Sequence, residues 1–165
     1  MSVLKILVYP DKKLREITVP VVEFNAQLQQ QVASLFETMY DDDGCGLAAN
    51  QVGLTARMFV MDTSRDKSNP ICMINPEITH RSGIIMSDEG CLSFPGVYTS
   101  VERAEQITVT FQDVKGQKQE LCLTELAANC VQHEMDHLNG ILFIDTLSKL
   151  KKDRMLRKLA KSLGA

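Results

Sequence analysis

Along residues 25–40 apolar side chains recur every three to four positions, at Leu28, Val32, Leu35, Phe36 and Met39. That is the period of a helix with one buried face. Asn25 stands where an N-cap accepts the first free backbone N–H groups. Two shorter runs follow, ARMFVMD (56–62) and ICMIN (71–75), whose apolar residues fall on successive positions and read as buried strands. In QITVTFQD (106–113), Ile107, Val109 and Phe111 alternate with Thr108, Thr110 and Gln112, the period of a half-buried strand. DVKG then turns the chain into QKQELCL, which predicts a hairpin.

After Thr124, a suitable N-cap, the helical period returns. Leu126, Cys130, His133 and His137 fall on one side, with Glu134 and Leu138 beside them, and Gly140 is placed to end the helix. The two histidines therefore lie on the inward stripe. These elements predict an α+β fold, with short, mostly antiparallel sheets packed around that central helix and further helices near both ends. No repeat or long low-complexity linker interrupts the chain, and 165 residues suit one domain.

Composition narrows the setting. No stretch approaches the roughly 18 continuous apolar residues of a membrane span, so no membrane partner is expected. The opening MSVLKILVYPDKK lacks the apolar core and small-residue cleavage site of an export signal. The five cysteines are odd in number and irregularly spaced, which favours thiols over a disulfide framework and a cytoplasmic location. A formal net charge of −3 conceals an asymmetry. From Ser148 onward, Lys149, Lys151, Lys152, Arg154, Arg157, Lys158 and Lys161 face one acid, Asp153. Such a tail is either a solvated terminal helix or a surface that meets a polyanion.

The candidate chemistry lies in VQHEMDHLNG (131–140). His133 and His137 are about 6 Å apart along a helix axis and about 40° apart around it, so their rings can converge on one ion. Glu134 is turned by about 100° from His133 and can hold a proton beside the metal rather than bind it. Only three histidines occur in the chain, and two occupy this pattern. After Glu134 there is no glutamate and after His137 no histidine; Asp145 is the main acid left before the basic tail, and the favoured source of a third ligand is upstream, where His80 and the cysteines are candidates. Cys130 is poorly placed for it, being about 10.5 Å along the axis from His137, and reads better as core lining.

Two further stretches bear on the question. DEGCLSFPG (88–96) places Cys91 in a short polar loop, and GCGLAANQ (44–51) is glycine-rich without the Lys-Ser/Thr ending of a phosphate loop. The first can be a small thiol at a turn. The second can be a turn or a backbone that approaches a substrate, followed by the Gln51 amide.

Together, residues 44–51 (GCGLAANQ), 89–93 (EGCLS) and 132–137 (QHEMDH) resemble, intact and in order, the three motifs of the peptide deformylases, and similarity runs over essentially the whole chain. Cys45 occupies a variable slot where that family often carries an aliphatic residue. The resemblance implies a metal-dependent hydrolase that removes the formyl group from formyl-methionyl nascent peptides and releases formate. It implies Cys91, His133 and His137 as metal ligands, for one divalent ion that is often Fe2+, with Zn2+, Ni2+ or Co2+ able to substitute. Oxygen sensitivity would follow from a cysteine sulfur on ferrous iron. It further implies Glu134 as the proton carrier and the Gln51 side chain and Leu92 N–H as oxyanion donors. Gly46 would let the substrate backbone pass close by. Leu126 and Cys130 are our candidates for the methionine pocket, against plain core packing. On this reading residues 1–147 form the catalytic domain and 148–165 its basic C-terminal helix, a possible ribosome contact on a protein expected to be monomeric. A metal-dependent endoprotease and a catalytically silent RNA-associated protein are the competing functions.

Overall fold

The computed structural model describes residues 2–164. Helix α1 spans Ala26–Asp41, and the Asn25 side chain caps it, accepting from Leu28 N at 3.0 Å. Seven strands follow: β1 (Gly46–Ala48), β2 (Met58–Met61), β3 (Ile71–Ser82), β4 (Ile85–Cys91), β5 (Phe94–Arg103), β6 (Gln106–Gln112) and β7 (Lys118–Thr124). Helix α2 (Glu125–Leu138) and helix α3 (Lys149–Ser162) complete the chain. The strands form a five-stranded antiparallel sheet in the order β1-β2-β3-β6-β7 and a separate β4–β5 hairpin. The fold is α+β, as the periodicities indicate.

The apolar stripe of α2 explains its central position. Ala128, Val131, Met135 and Leu138 pack with Phe59, Met73, Ile107 and Val109 of the large sheet. Leu28, Val32, Leu35 and Met39 of α1 join Leu47, Met58 and Val60 in a second cluster. A third cluster unites Phe94, Val97 and Val101 of β5 with Leu14, Phe143, Ile144 and, from α3, Met155 and Leu159. Helix α2 thus lies between the large sheet and the small hairpin, with one residue stripe facing each. No described helix is long and apolar enough to cross a membrane.

Three differences from the sequence reading have local causes. Strand β3 runs on to Ser82 through Asn75-Pro76, a turn signal that here marks a break in the β3–β6 register between Ile74 and Glu77, with Asn75 at φ +51°. Thr124 stands at the N-cap of α2, but its side chain makes no capping hydrogen bond. Cys91 is the last residue of β4 and not part of an irregular loop. Here Ser87 and Glu89 point inward and are buried, so the inner face of β4 is polar, and a strand with a polar inner face leaves no hydrophobic alternation to read.

Gly140 does end α2 as expected. It lies at φ +73°, and its Cβ position is filled by the Arg15 carbonyl oxygen, so glycine serves both the turn and the close approach.

Candidate metal centre

His133 and His137 project from successive turns of α2 with their Nε2 atoms 3.1 Å apart. Cys91 enters from the end of β4 and places Sγ 3.3 Å from His137 Nε2. One donor atom from each of the three residues lies within 4.8 Å of the others, and no further metal-capable group of this kind occurs among the described residues. Donor separations of this size suit an ion bound at about 2.0–2.3 Å by two imidazoles and a sulfur. His80, the other upstream candidate, is exposed on β3 opposite Thr108 and is not in the group.

The surroundings orient these donors. Glu89 Oε1 lies 2.9 Å from His133 Nδ1, so Nε2 is left to face Cys91 and His137. Arg103 donates to both Glu89 oxygens, from Nη2 at 2.7 Å and from Nε at 2.9 Å, and Nη1 donates to Asp136 Oδ2 at 2.8 Å. Burial works to raise the Glu89 carboxyl, but Arg103 and His133 outweigh it and hold the group down at about 2. Burial, together with the charges of His133 and Arg103, holds His137 well below the ordinary imidazole value, the neutral form that metals require. The Asn50 amide fixes the backbone of α2 here by donating to the His137 carbonyl.

Glu134 is buried beside this cluster, and its Oε1 has no hydrogen-bond partner. Burial pushes its carboxyl up to about 8. An unpartnered, buried carboxyl next to three converging donors is what a site for an ion and a water would leave unsatisfied. Gly46 makes room for it: a Cβ there would stand 2.6 Å from Glu134 Oε2 and 2.7 Å from Cys130 Sγ. The space that Gly46 keeps open is thus filled first by the protein's own side chains.

Gln51 lies in the short 3-10 helix after β1. Its Oε1 accepts from Ala48 N at 2.9 Å, which turns Nε2 toward Ser93 Oγ at 3.0 Å and Cys91 Sγ at 3.6 Å. Leu92 and Ser93 form the two-residue turn of the β4–β5 hairpin. A cavity of about 470 Å³ opens above the cluster, lined by Cys45, Gly46, Leu92, Leu126, Cys130 and Glu134 among others. His133 reaches its wall and His137 lies deeper, 2% exposed. Leu126 is half exposed at the rim and Cys130 is buried.

The structure groups Gly46, Gln51, Leu92, Leu126, Cys130 and Glu134 around the pocket that the Cys91, His133 and His137 cluster adjoins, leaves His80 outside it, and adds four residues not singled out from the sequence: Glu89, Arg103, Ser93 and Asn50. Glu89 sat inside a quoted motif, and its alternation with Ser87 and Cys91 was the available signal. Nothing local marks Arg103, which matters only because β5 folds back on β4.

Comparison with known proteins gives matches over almost the whole chain. The family model for polypeptide deformylase matches residues 3–153. Peptide deformylase 1 of Shewanella oneidensis is 48% identical over 162 residues, covering 98% of this chain and 96% of its own length. The peptide deformylase of Neisseria gonorrhoeae is 46% identical over 161 residues, with 98% and 96% covered. Among solved structures, a peptide deformylase from Legionella pneumophila superposes with a TM-score of 0.95 at 46% identity, covering 97% of this chain and 95% of that one. One from Ehrlichia chaffeensis in complex with actinonin gives 0.92 at 38% identity, with 98% of each chain covered.

Proposed function

The chain belongs to the polypeptide deformylase family and is a hydrolase of that kind, and from this and the pocket we propose that it hydrolyses the formyl group of formyl-methionyl nascent peptides in the cytoplasm. The observation that carries the reading is the convergence of Cys91, His133 and His137 beside the unpartnered carboxyl of Glu134 at the floor of an open pocket.

Cys91, His133 and His137 would hold one divalent ion, their sulfur and two nitrogens being suited to Fe2+ or Zn2+ and able to take Ni2+ or Co2+. When bound, the ion supplies Lewis acidity and lowers the pKa of water toward neutrality. Glu134 accepts the proton of the water that attacks the formyl carbon, and returns it to the leaving amine. A carboxyl held near neutral by burial can do both. Gln51 Nε2 and the Leu92 N–H stabilise the oxyanion, and Ala48 N keeps the Gln51 amide turned the correct way. Gly46 keeps its backbone accessible to an extended peptide, which adds as a strand along β1. Leu126 and Cys130 form the apolar side that receives methionine.

The catalytic body is assigned to residues 1–147 of a monomer and the basic tail to 148–165, which carries helix α3 (Lys149–Ser162). That helix plugs the core with Met155 and Leu159 while Lys151, Arg154, Arg157, Lys158 and Lys161 stay exposed, a face suited to ribosomal RNA phosphates. The deciding experiment is anaerobic purification with metal analysis and a formate-release assay on the same sample. Release from formyl-Met peptides with about one ion per chain is expected. Cleavage of internal peptide bonds without formate would overturn the reading in favour of an endoprotease.

A further inference from the structure

Two thiols at the pocket have no part in that chemistry as reacting groups. Cys45 is exposed in the turn before β1, and Cys130 is buried on α2. They are 85 residues apart in the chain, yet Cys130 Sγ donates to the Cys45 carbonyl at 3.5 Å. The two thiols also bear on each other: Cys130 draws the Cys45 thiol down to about 7, while Cys45 and burial push Cys130 well up. Close packing at Gly46, whose Cβ position lies 2.7 Å from Cys130 Sγ, holds the Cys45 end of β1 against α2. The remaining cysteines lie elsewhere or are committed: Cys72 on β3, Cys122 on β7 beside Thr108, and Cys91 at the metal centre.

We infer that Cys45 and Cys130 form a reversible dithiol site, oxidised by hydroperoxides to a disulfide that ties the β1 entrance to α2 and closes the apolar side of the pocket. The inference deepens the deformylase reading and rests on it for the consequence, but not for the bond. The two residues have distinct tasks. Cys45 is exposed and Cys130 is buried, so Cys45 is the sulfur that meets the peroxide, and the neighbouring Cys130 also lowers its thiol. Its thiolate attacks one peroxide oxygen, the O–O bond breaks, and a sulfenic acid and one water form after protonation. Cys130 sulfur then attacks the Cys45 sulfur, the S–O bond breaks, and a second water leaves with the Cys130 proton. Two thiols and one hydrogen peroxide thus become one disulfide and two waters. A sulfur–sulfur bond of about 2.05 Å is shorter than any non-bonded contact between two sulfurs, so its formation pulls the Gly44–Gly46 segment toward α2 and into the cavity.

The test uses the full chain loaded with Ni2+ or Zn2+, so that peroxide meets thiols and not ferrous iron. After one equivalent of hydrogen peroxide, free thiols are alkylated and the protein is digested without reductant for mass mapping. A Cys45–Cys130 cross-linked peptide is expected, with formate release down at least tenfold and restored by dithiothreitol. C45S is expected to give no cross-link and to keep at least half of its own untreated rate. Both thiols remaining alkylatable, Cys45 ending as a sulfinic acid without a cross-link, or a cross-linked protein of unchanged rate would each overturn the inference. If the reduced protein releases no formate at all, the deformylase reading fails, and the peptide map alone decides the thiol pair.

Discussion

Glu89 on β4 grips His133 on α2, with Oε1 2.9 Å from Nδ1, while the same oxygen takes a 2.7 Å bond from Arg103. One carboxylate therefore sets the direction of a candidate ligand and is itself held by a guanidinium from the neighbouring strand. Partners of this kind, when removed, cost about 10–100-fold in metal affinity. Glu89→Gln is expected to show such a loss in chelator competition while remaining folded. Arg103→Met leaves a buried carboxylate uncompensated and is expected to cost about 3–5 kcal/mol of stability in urea unfolding.

Glu134 is the clearest test of chemistry as distinct from binding. Glu134→Ala keeps the three donors, so metal content should stay near that of the parent while formate release falls by about 10²–10⁴-fold. Equal activity in the variant would remove Glu134 from the mechanism.

Gly46→Ala places a methyl group within 2.6 Å of the Glu134 carboxylate and 2.7 Å of the Cys130 sulfur. Overpacking of this kind costs about 1–3 kcal/mol. The displaced carboxylate should reduce kcat by more than the melting curve alone accounts for, by about 10²-fold if it shifts by about 1 Å. A stable variant of full activity would mean that the segment yields freely.

Acid stability should depend in part on Asp62, which accepts from Tyr40 Oη at 2.6 Å and also from Ser64 and Asn69. Burial works to raise this carboxyl, but the hydrogen bonds outweigh it and hold it below its usual range. Its contribution is therefore complete above the unfolded value of about 3.9 and is lost as pH falls through the lower folded value. Burial first, and then Asp62, push Tyr40 up to about 12, so stability tied to its neutral phenol is complete below about 10 and declines as pH rises toward 12. Tyr40→Phe should cost about 1.5 kcal/mol at pH 7 and less near pH 2, measured by thermal melts. An identical loss at both pH values would contradict the assignment.

The basic helix calls for charge neutralisation and not truncation, since Met155 and Leu159 are part of the core. Replacing Lys151, Arg154 and Lys158 by Gln should weaken cosedimentation with ribosomes and flatten its salt dependence, with little change in melting temperature. If the triple variant sediments as the parent does, residues 148–161 do not dock there.

What was legible in the sequence was local. A helical period puts His133 and His137 one turn apart on a buried stripe, because backbone geometry alone relates residues four positions apart. Strand alternation in β6 and the Asn25 cap were equally readable. The third donor was not: residues alone left His80 and several cysteines open, and only the resemblance singled out Cys91. Its sulfur reaches His137 across 46 residues because the β4–β5 hairpin turns at Leu92-Ser93 and carries a register shift after Gly90. Glu89 and Arg103 depend on the same pairing, and their buried, polar face defeats any pattern built on hydrophobicity. Contacts within a turn are written into neighbouring residues. Contacts between β4 and α2 exist only once the hairpin and the sheet have closed on the helix from both sides.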